Sequence, residues 1–153
     1  MHRFKKILVD VNSDDSETAS GRAIEVATDN GAIVTLIDVV RPLSKASRVL
    51  TKAATRDEMR DQMISERRAK LESMTKSYQG RGVPFDCVVR FGDHAQEITK
   101  EVLASGYDLV IKTAEVANRR TGRLFGSAGR SLMRSCPVPV WMLKPEVHGE
   151  FDQ

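Results

Sequence analysis

Short β-branched apolar runs alternate with longer amphipathic stretches along this chain. Lys6-Ile-Leu-Val-Asp-Val11 is apolar and brief, and reads as a buried strand of the parallel kind. Asn12-Ser-Asp-Asp-Ser-Glu17 follows as a polar turn rich in helix-capping residues. A helix is expected from there to about Asn30, with Ala19, Ala23, Ile24 and Ala27 on one face and Gly31 ending it. Residues 32–40 predict the second strand, broken by Arg41-Pro42, with Asp38 as a polar exception at an edge or a crevice. Positions 43–54 are small and polar, and predict an irregular loop or a loose helical turn.

From about Thr55 to Gln79, Met59, Met63, Leu71, Met74 and Tyr78 recur near helical spacing among charges of both signs. Those methionines either fill the core or line a binding groove. Pro84-Phe-Asp-Cys-Val-Val-Arg-Phe91 predicts a third strand, and Asp93 caps the helix after it, whose inner side is Ala95, Ile98, Val102 and Leu103. Tyr107-Asp-Leu-Val-Ile-Lys-Thr113 predicts the fourth strand, residues 114–122 a polar loop, residues 126–135 a short helix, and Val138-Pro-Val-Trp-Met-Leu143 the fifth strand. Pro137 and Pro139 put that last strand at a sheet edge. Strands alternating with helices imply an α/β fold with an open, parallel, Rossmann-like sheet and helices on both faces. Residues 1–145 are expected to form one domain, and residues 146–153 a disordered tail.

Composition narrows the function classes. At 153 residues, with 41% hydrophobic and 29% charged residues, this is an ordinary globular chain long enough to bury a core. A formal charge of +3 does not by itself point to nucleic acid, and the aromatics that would interleave a single-strand binding patch are missing. Cys87 and Cys136 form no disulfide framework, so a reducing cytoplasm fits. The apolar run after the basic start is too short for a signal peptide, and no stretch approaches the roughly 20 apolar residues that span a bilayer. His2, His94 and His148 show no metal-ligand spacing; neither a Gly-x-Ser-x-Gly elbow nor a complete phosphate-binding loop with Lys-Ser/Thr occurs. An enzyme is not expected, with slow nucleotide hydrolysis as the alternative.

The richest chemical signal is Gly126-Ser127, where the short fourth helix begins. A helix start offers free N–H groups and the positive end of the macrodipole; glycine permits close approach and serine adds a donor, so an anion such as phosphate is the candidate ligand. The structural alternative is a turn glycine and a capping serine. Lys112 closes an apolar strand at the same rim, and either neutralises a phosphate or reaches water. Arg119, Arg120, Arg123, Arg130 and Arg134 surround the stretch, to grip an anion, to form an RNA- or DNA-facing patch, or to form a solvated basic face. An edge as apolar as residues 138–143 calls for a cover, which a second copy across a two-fold axis supplies.

Lys5-Lys-Ile-Leu-Val9, Gly92-Asp93 with Glu97-Ile98, Tyr107-Asp-Leu-Val-Ile111, Gly126-Ser127 and Ser135-Cys-Pro-Val-Pro-Val140, in this order, resemble the universal stress protein family over most of the chain. The fourth and fifth strands are most similar to the N-terminal half of its tandem-domain members. The resemblance implies five parallel strands ordered 3-2-1-4-5, a homodimer through the last strand, and a stress-response binding or signalling role. It also implies ATP or another adenine nucleotide as ligand. The alternatives are a slow nucleotide hydrolase and a partner-binding protein with an empty pocket. The family's phosphate signature is Gly, two residues, Gly, nine residues, Gly, then Ser or Thr. Here Thr113 and Val116 stand at the first two glycines, while Gly126 and Ser127 keep the rest. The acidic residue that ends the family's first strand falls on Asn12, unless Asp10 or Asp14 takes its place, and the backbone that receives adenine falls on Val39. The implied site is thus Asp10, Asn12, Val39, Lys112, Thr113, Val116, Gly126, Ser127 and Ala128.

Overall fold

A computed structural model describes residues 3–13, 15–46, 52–115 and 126–146. Strand β1 (Lys6–Asp10) leads through helix α1 (Ser16–Asn30) to β2 (Ile33–Val40), and α2 (Ala53–Ser77) leads to β3 (Phe85–Phe91). Helix α3 (His94–Ser105), strand β4 (Leu109–Thr113), helix α4 (Ser127–Ser135) and strand β5 (Val140–Leu143) complete the order. The five strands form one parallel sheet in the order β3-β2-β1-β4-β5.

Because side chains alternate across a strand, each strand feeds two cores. Ile7, Val9, Val34, Leu36, Leu109 and Ile111 pack with Ala19, Ala23 and Ala27 of α1 and Leu71 of α2. Leu8, Ile37, Val39 and Val110 pack on the other face with Ala95, Ile98 and Val102 of α3 and Leu132 of α4. Short alanines on α1 let that helix lie close to the sheet. Asp15 opens α1 by accepting from Thr18 N, and Asp93 opens α3 by accepting from Gln96 N. Gly31 and Gly106 end the same two helices at φ of 67° and 70°, backbone that disfavours a Cβ.

Several boundaries differ from expectation. Helix α2 begins and ends two residues earlier than its periodicity predicts; Tyr78 leaves the helix to stack on Phe85 at 5.4 Å. The methionines divide: Met63 and Met74 pack against the core, whereas Met59 is exposed beside Arg56, Arg60 and Phe91. Strand β4 starts at Leu109, because the Asp108 carboxylate turns back to accept from the Lys5 and Lys6 amides. Strand β5 starts at Val140, so Pro137 and Pro139 precede it, and the Pro139 carbonyl still accepts from Val110 N at 3.0 Å. It is the sheet edge that its prolines predict. Helix α4 approaches β5 so closely that a Cβ on Gly129 would meet Met142 Cε at 2.9 Å. The expected tail beyond Glu146 lies outside the described residues.

Candidate functional site

The two crossovers leave β1 and β4 as neighbours whose chains depart in opposite directions, which in open parallel sheets opens a crevice beyond the carboxyl ends of the strands. A cleft of about 460 Å³ lies there, lined by Asn12, Ser13, Val39, Arg41, Arg67, Lys70, His94, Glu115 and Ala128 among others. A second hollow of about 480 Å³ shares Arg41, His94 and Ala128 with it and adds Ser127 and Ser131 of α4. Together they run from the end of β2 to the start of α4.

The floor is a buried charge cluster. Asp10 is fully buried at the end of β1; its Oδ2 lies 2.7 Å from His94 Nε2 and 3.1 Å from Lys112 Nζ, and its Oδ1 accepts from Asn12 N at 2.9 Å. Lys112 Nζ also donates to the Asn12 carbonyl at 2.7 Å. Burial alone would raise the Asp10 carboxyl, but the His94 hydrogen bond, the Lys112 and His94 charges and the Asn12 amide together hold it below the usual carboxylate range. Lys112 is 2% exposed, so it does not reach water as one sequence reading had it; it neutralises Asp10 instead. Thr113 is likewise buried, and its Oγ1 accepts from Ala19 N at 3.1 Å, tying the end of β4 to the first turn of α1. Asp10, Lys112 and Thr113 therefore lie beneath the cleft and do not line it.

Asn12 and Val39 meet directly above. Val39 N donates to Asn12 Oδ1 at 2.9 Å, and Asn12 Nδ2 donates to the Val39 carbonyl at 3.2 Å and to Asp38 Oδ1 at 2.7 Å. Asp38, the polar exception of β2, is buried and takes its countercharge from Arg67 at 3.2 Å. The asparagine thus prolongs the β1–β2 ladder by one side chain beyond Val11, whose N–H still pairs with Ile37 O.

On the far side, Gly126 is the N-cap of α4, with no side-chain cap, and Ser127 is its first helical residue, so the serine does not cap. The Glu115 carboxylate stands close: its Oε2 would lie 3.5 Å from a Cβ on Gly126. A negative group there complements the free amides of the helix start. Val116, Asp14, Arg119, Arg120 and Arg123 lie outside the described residues. On two residues that line the cleft, Ser13 Oγ and His94 Nδ1 are buried and find no hydrogen-bond partner among the described residues. Buried polar groups are nearly always paired, so these atoms are exceptions, as is Ser20 Oγ on α1.

The sequence had singled out neither His94 nor the cations Arg41, Arg67 and Lys70. His94 could have been found from its position at the exit of β3, where side chains face the crevice; Arg67 and Lys70, in mid-helix, carry no such signal. Among the described residues no cluster of His, Cys, Asp and Glu has the makings of a metal site. The cysteines are unpaired, and burial pushes both thiols above their ordinary value.

A five-stranded open parallel α/β sheet with helices on both faces and a helix start at its crevice is the Rossmann-like class of architecture. The chain belongs to the universal stress protein family, whose sequence pattern matches residues 3–144. It is 31% identical over 147 residues to Universal stress protein E of Escherichia coli K12, covering 95% of this chain and 46% of that protein. The chain thus spans about half the length of the curated relatives it matches. Among solved structures, the universal stress protein UspA of Lactobacillus plantarum superposes with a TM-score of 0.75 at 19% identity, over 94% of this chain and 99% of that one. A universal stress protein in complex with cAMP superposes with a TM-score of 0.68 at 16% identity, over 94% and 99% of the two chains. Those structural likenesses establish the fold. No helix among the described residues is long and apolar enough to cross a membrane.

Proposed function

We propose that this chain is a cytoplasmic stress-response binding module that takes an adenine nucleotide in the rim cleft and signals its occupancy through a partner. The observation that carries the reading is convergence: the α4 start, Ser13 and the end of β2 border two hollows that share Arg41, His94 and Ala128, and His94 Nδ1 and Ser13 Oγ find no partner among the described residues. Gly126, Ser127 and Ala128 bring free helix amides to a phosphate, and Arg41 and Lys70 bring charge. Val39 offers a backbone edge to the base once the Asn12 carboxamide gives it up. Asp10, Lys112 and Thr113 serve from below, holding Asn12 and the ends of β1 and β4 in place. Binding of cAMP by a protein of the same fold supports the ligand class. The half-length match to a longer relative supports reading the chain as the counterpart of one half of a tandem protein. In this reading two copies pair through β5, which offers Val140 and Trp141 at an open edge.

Thermal unfolding with AMP, ATP and cAMP tests the ligand. A nucleotide at a hundred times its Kd stabilises a folded protein by about 2.7 kcal/mol. No shift with any adenine nucleotide at millimolar concentration overturns the nucleotide part. The second reading, a partner-binding stress protein without nucleotide, then gains, and one observation already favours it: Asn12 fills the Val39 edge.

A further inference from the structure

The Asn12 carboxamide does more than finish a ladder. Its orientation is fixed by its neighbours: the Val39 N–H requires an acceptor opposite it, and the Asp38 carboxylate and Val39 carbonyl require a donor. The side chain therefore presents an acceptor and a donor side by side to one donor and one acceptor of the backbone. The N1 and N6 edge of adenine presents the same pair in the same order. Hypoxanthine and guanine, with N1–H and O6, present it reversed when the ribose is held on the same side.

We infer that Asn12 is a base-mimicking gate: in the free chain it occupies the seat of the nucleobase, and only a base with adenine's acceptor–donor pattern exchanges for it without leaving a buried backbone group unpaired. The inference rests on the nucleotide reading above and adds base selection and its mechanism. Exchange conserves the hydrogen bonds of Val39, and the second amino hydrogen of adenine inherits Asp38 Oδ1, whose carboxylate Arg67 holds in place. A base with the reversed pattern sets N–H against N–H and carbonyl against carbonyl and carboxylate. The asparagine side chain has room to move, because it lines the open cleft beside Ser13 and Lys70. Its backbone stays anchored, since Lys112 Nζ holds its carbonyl and Asp10 Oδ1 its N–H. The gate taxes every nucleotide by the contacts that Asn12 must give up, while a ligand that uses only the α4 start leaves it closed.

Calorimetric titration of AMP, IMP and pyrophosphate into the wild-type chain and Asn12→Ala tests this. Two hydrogen bonds to a backbone edge correspond to about a tenfold or greater change in affinity. The expected result is an AMP-to-pyrophosphate affinity ratio about tenfold higher in Asn12→Ala, with no comparable gain for IMP. Equal AMP binding by both folded proteins, or an equal gain for IMP, overturns the gate and leaves the nucleotide reading standing. No binding of AMP to either protein overturns both. Should Asn12→Ala fail to fold, the Asn12 side-chain amide resonances of the wild-type chain decide. They shift on saturation with AMP and stay in place with pyrophosphate if the gate operates, and their indifference to AMP refutes it.

Discussion

Lys112 Nζ lies 3.1 Å from Asp10 Oδ2 with the two side chains 2% and 0% exposed, which makes the carboxyl rim of β1 and β4 a sealed ion pair. Two charges taken out of water are held by each other, by His94 and by the Asn12 backbone. Removing one partner leaves the other buried and uncompensated, which typically costs about 3–5 kcal/mol. Lys112→Met is expected to destabilise the fold by about that amount, and Asp10→Asn with Lys112→Met by less than the sum of the single changes. Urea unfolding of the two singles and the double checks the coupling.

Acid acts through the same carboxylate. The folded chain holds Asp10 below its ordinary value of 3.8, so its contribution to stability is complete above that value and is lost as pH falls through the lower folded value. Wild-type stability should therefore decline more steeply below about pH 4 than that of Asp10→Asn. Urea midpoints across the acid range measure the difference, and parallel curves would mean that other carboxylates govern the loss.

Thr113, which the sequence resemblance sets at a signature glycine, has a hydroxyl with structural work: it accepts from Ala19 N. Thr113→Val keeps the shape but removes the acceptor facing Ala19 N, at an expected cost of about 1–3 kcal/mol. Thr113→Ser keeps the acceptor and is expected to fall much closer to wild type. Equal losses for both variants would show that the methyl packing, not the hydrogen bond, sets the cost.

The open strand β5 bears on assembly. Trp141 is 37% exposed and packs edge-on against Phe4 at 5.6 Å, leaving an apolar strip along the sheet edge. A lysine in that strip opposes strand-to-strand pairing. Under the proposed pairing, Val140→Lys gives monomers by light scattering, and a dimer that survives the change lies on another surface.

Much of this architecture is legible because it is written locally. Runs such as Ile7-Leu-Val9 and Leu109-Val-Ile111 can only be buried on both faces, and Asp93, Gly31 and Gly106 mark helix ends within a few residues of the features they serve. The site is legible only in part, because its decisive contacts join distant positions. Asp10 and Lys112 are separated by most of the chain, and a lysine ending a strand looks the same whether it meets water, phosphate or a carboxylate. Asn12 reads as a turn residue, and nothing near it announces that its side chain will pair with the backbone of β2. Asp38 was visible as an anomaly, but its countercharge comes from mid-helix at Arg67, where the pattern shows only one more charge on a solvated face.

Gly129 of α4 faces the terminal methyl of Met142 on β5, so close that a Cβ there would have to push that methyl aside. A tilt of the helix toward a guest would be felt first by that methionine, which stands on the strand proposed to pair with a second copy. If two copies join along that strand, each would feel whether its twin is loaded. A filled methyl position at Gly129 would then alter communication between subunits before it altered capture of the guest itself.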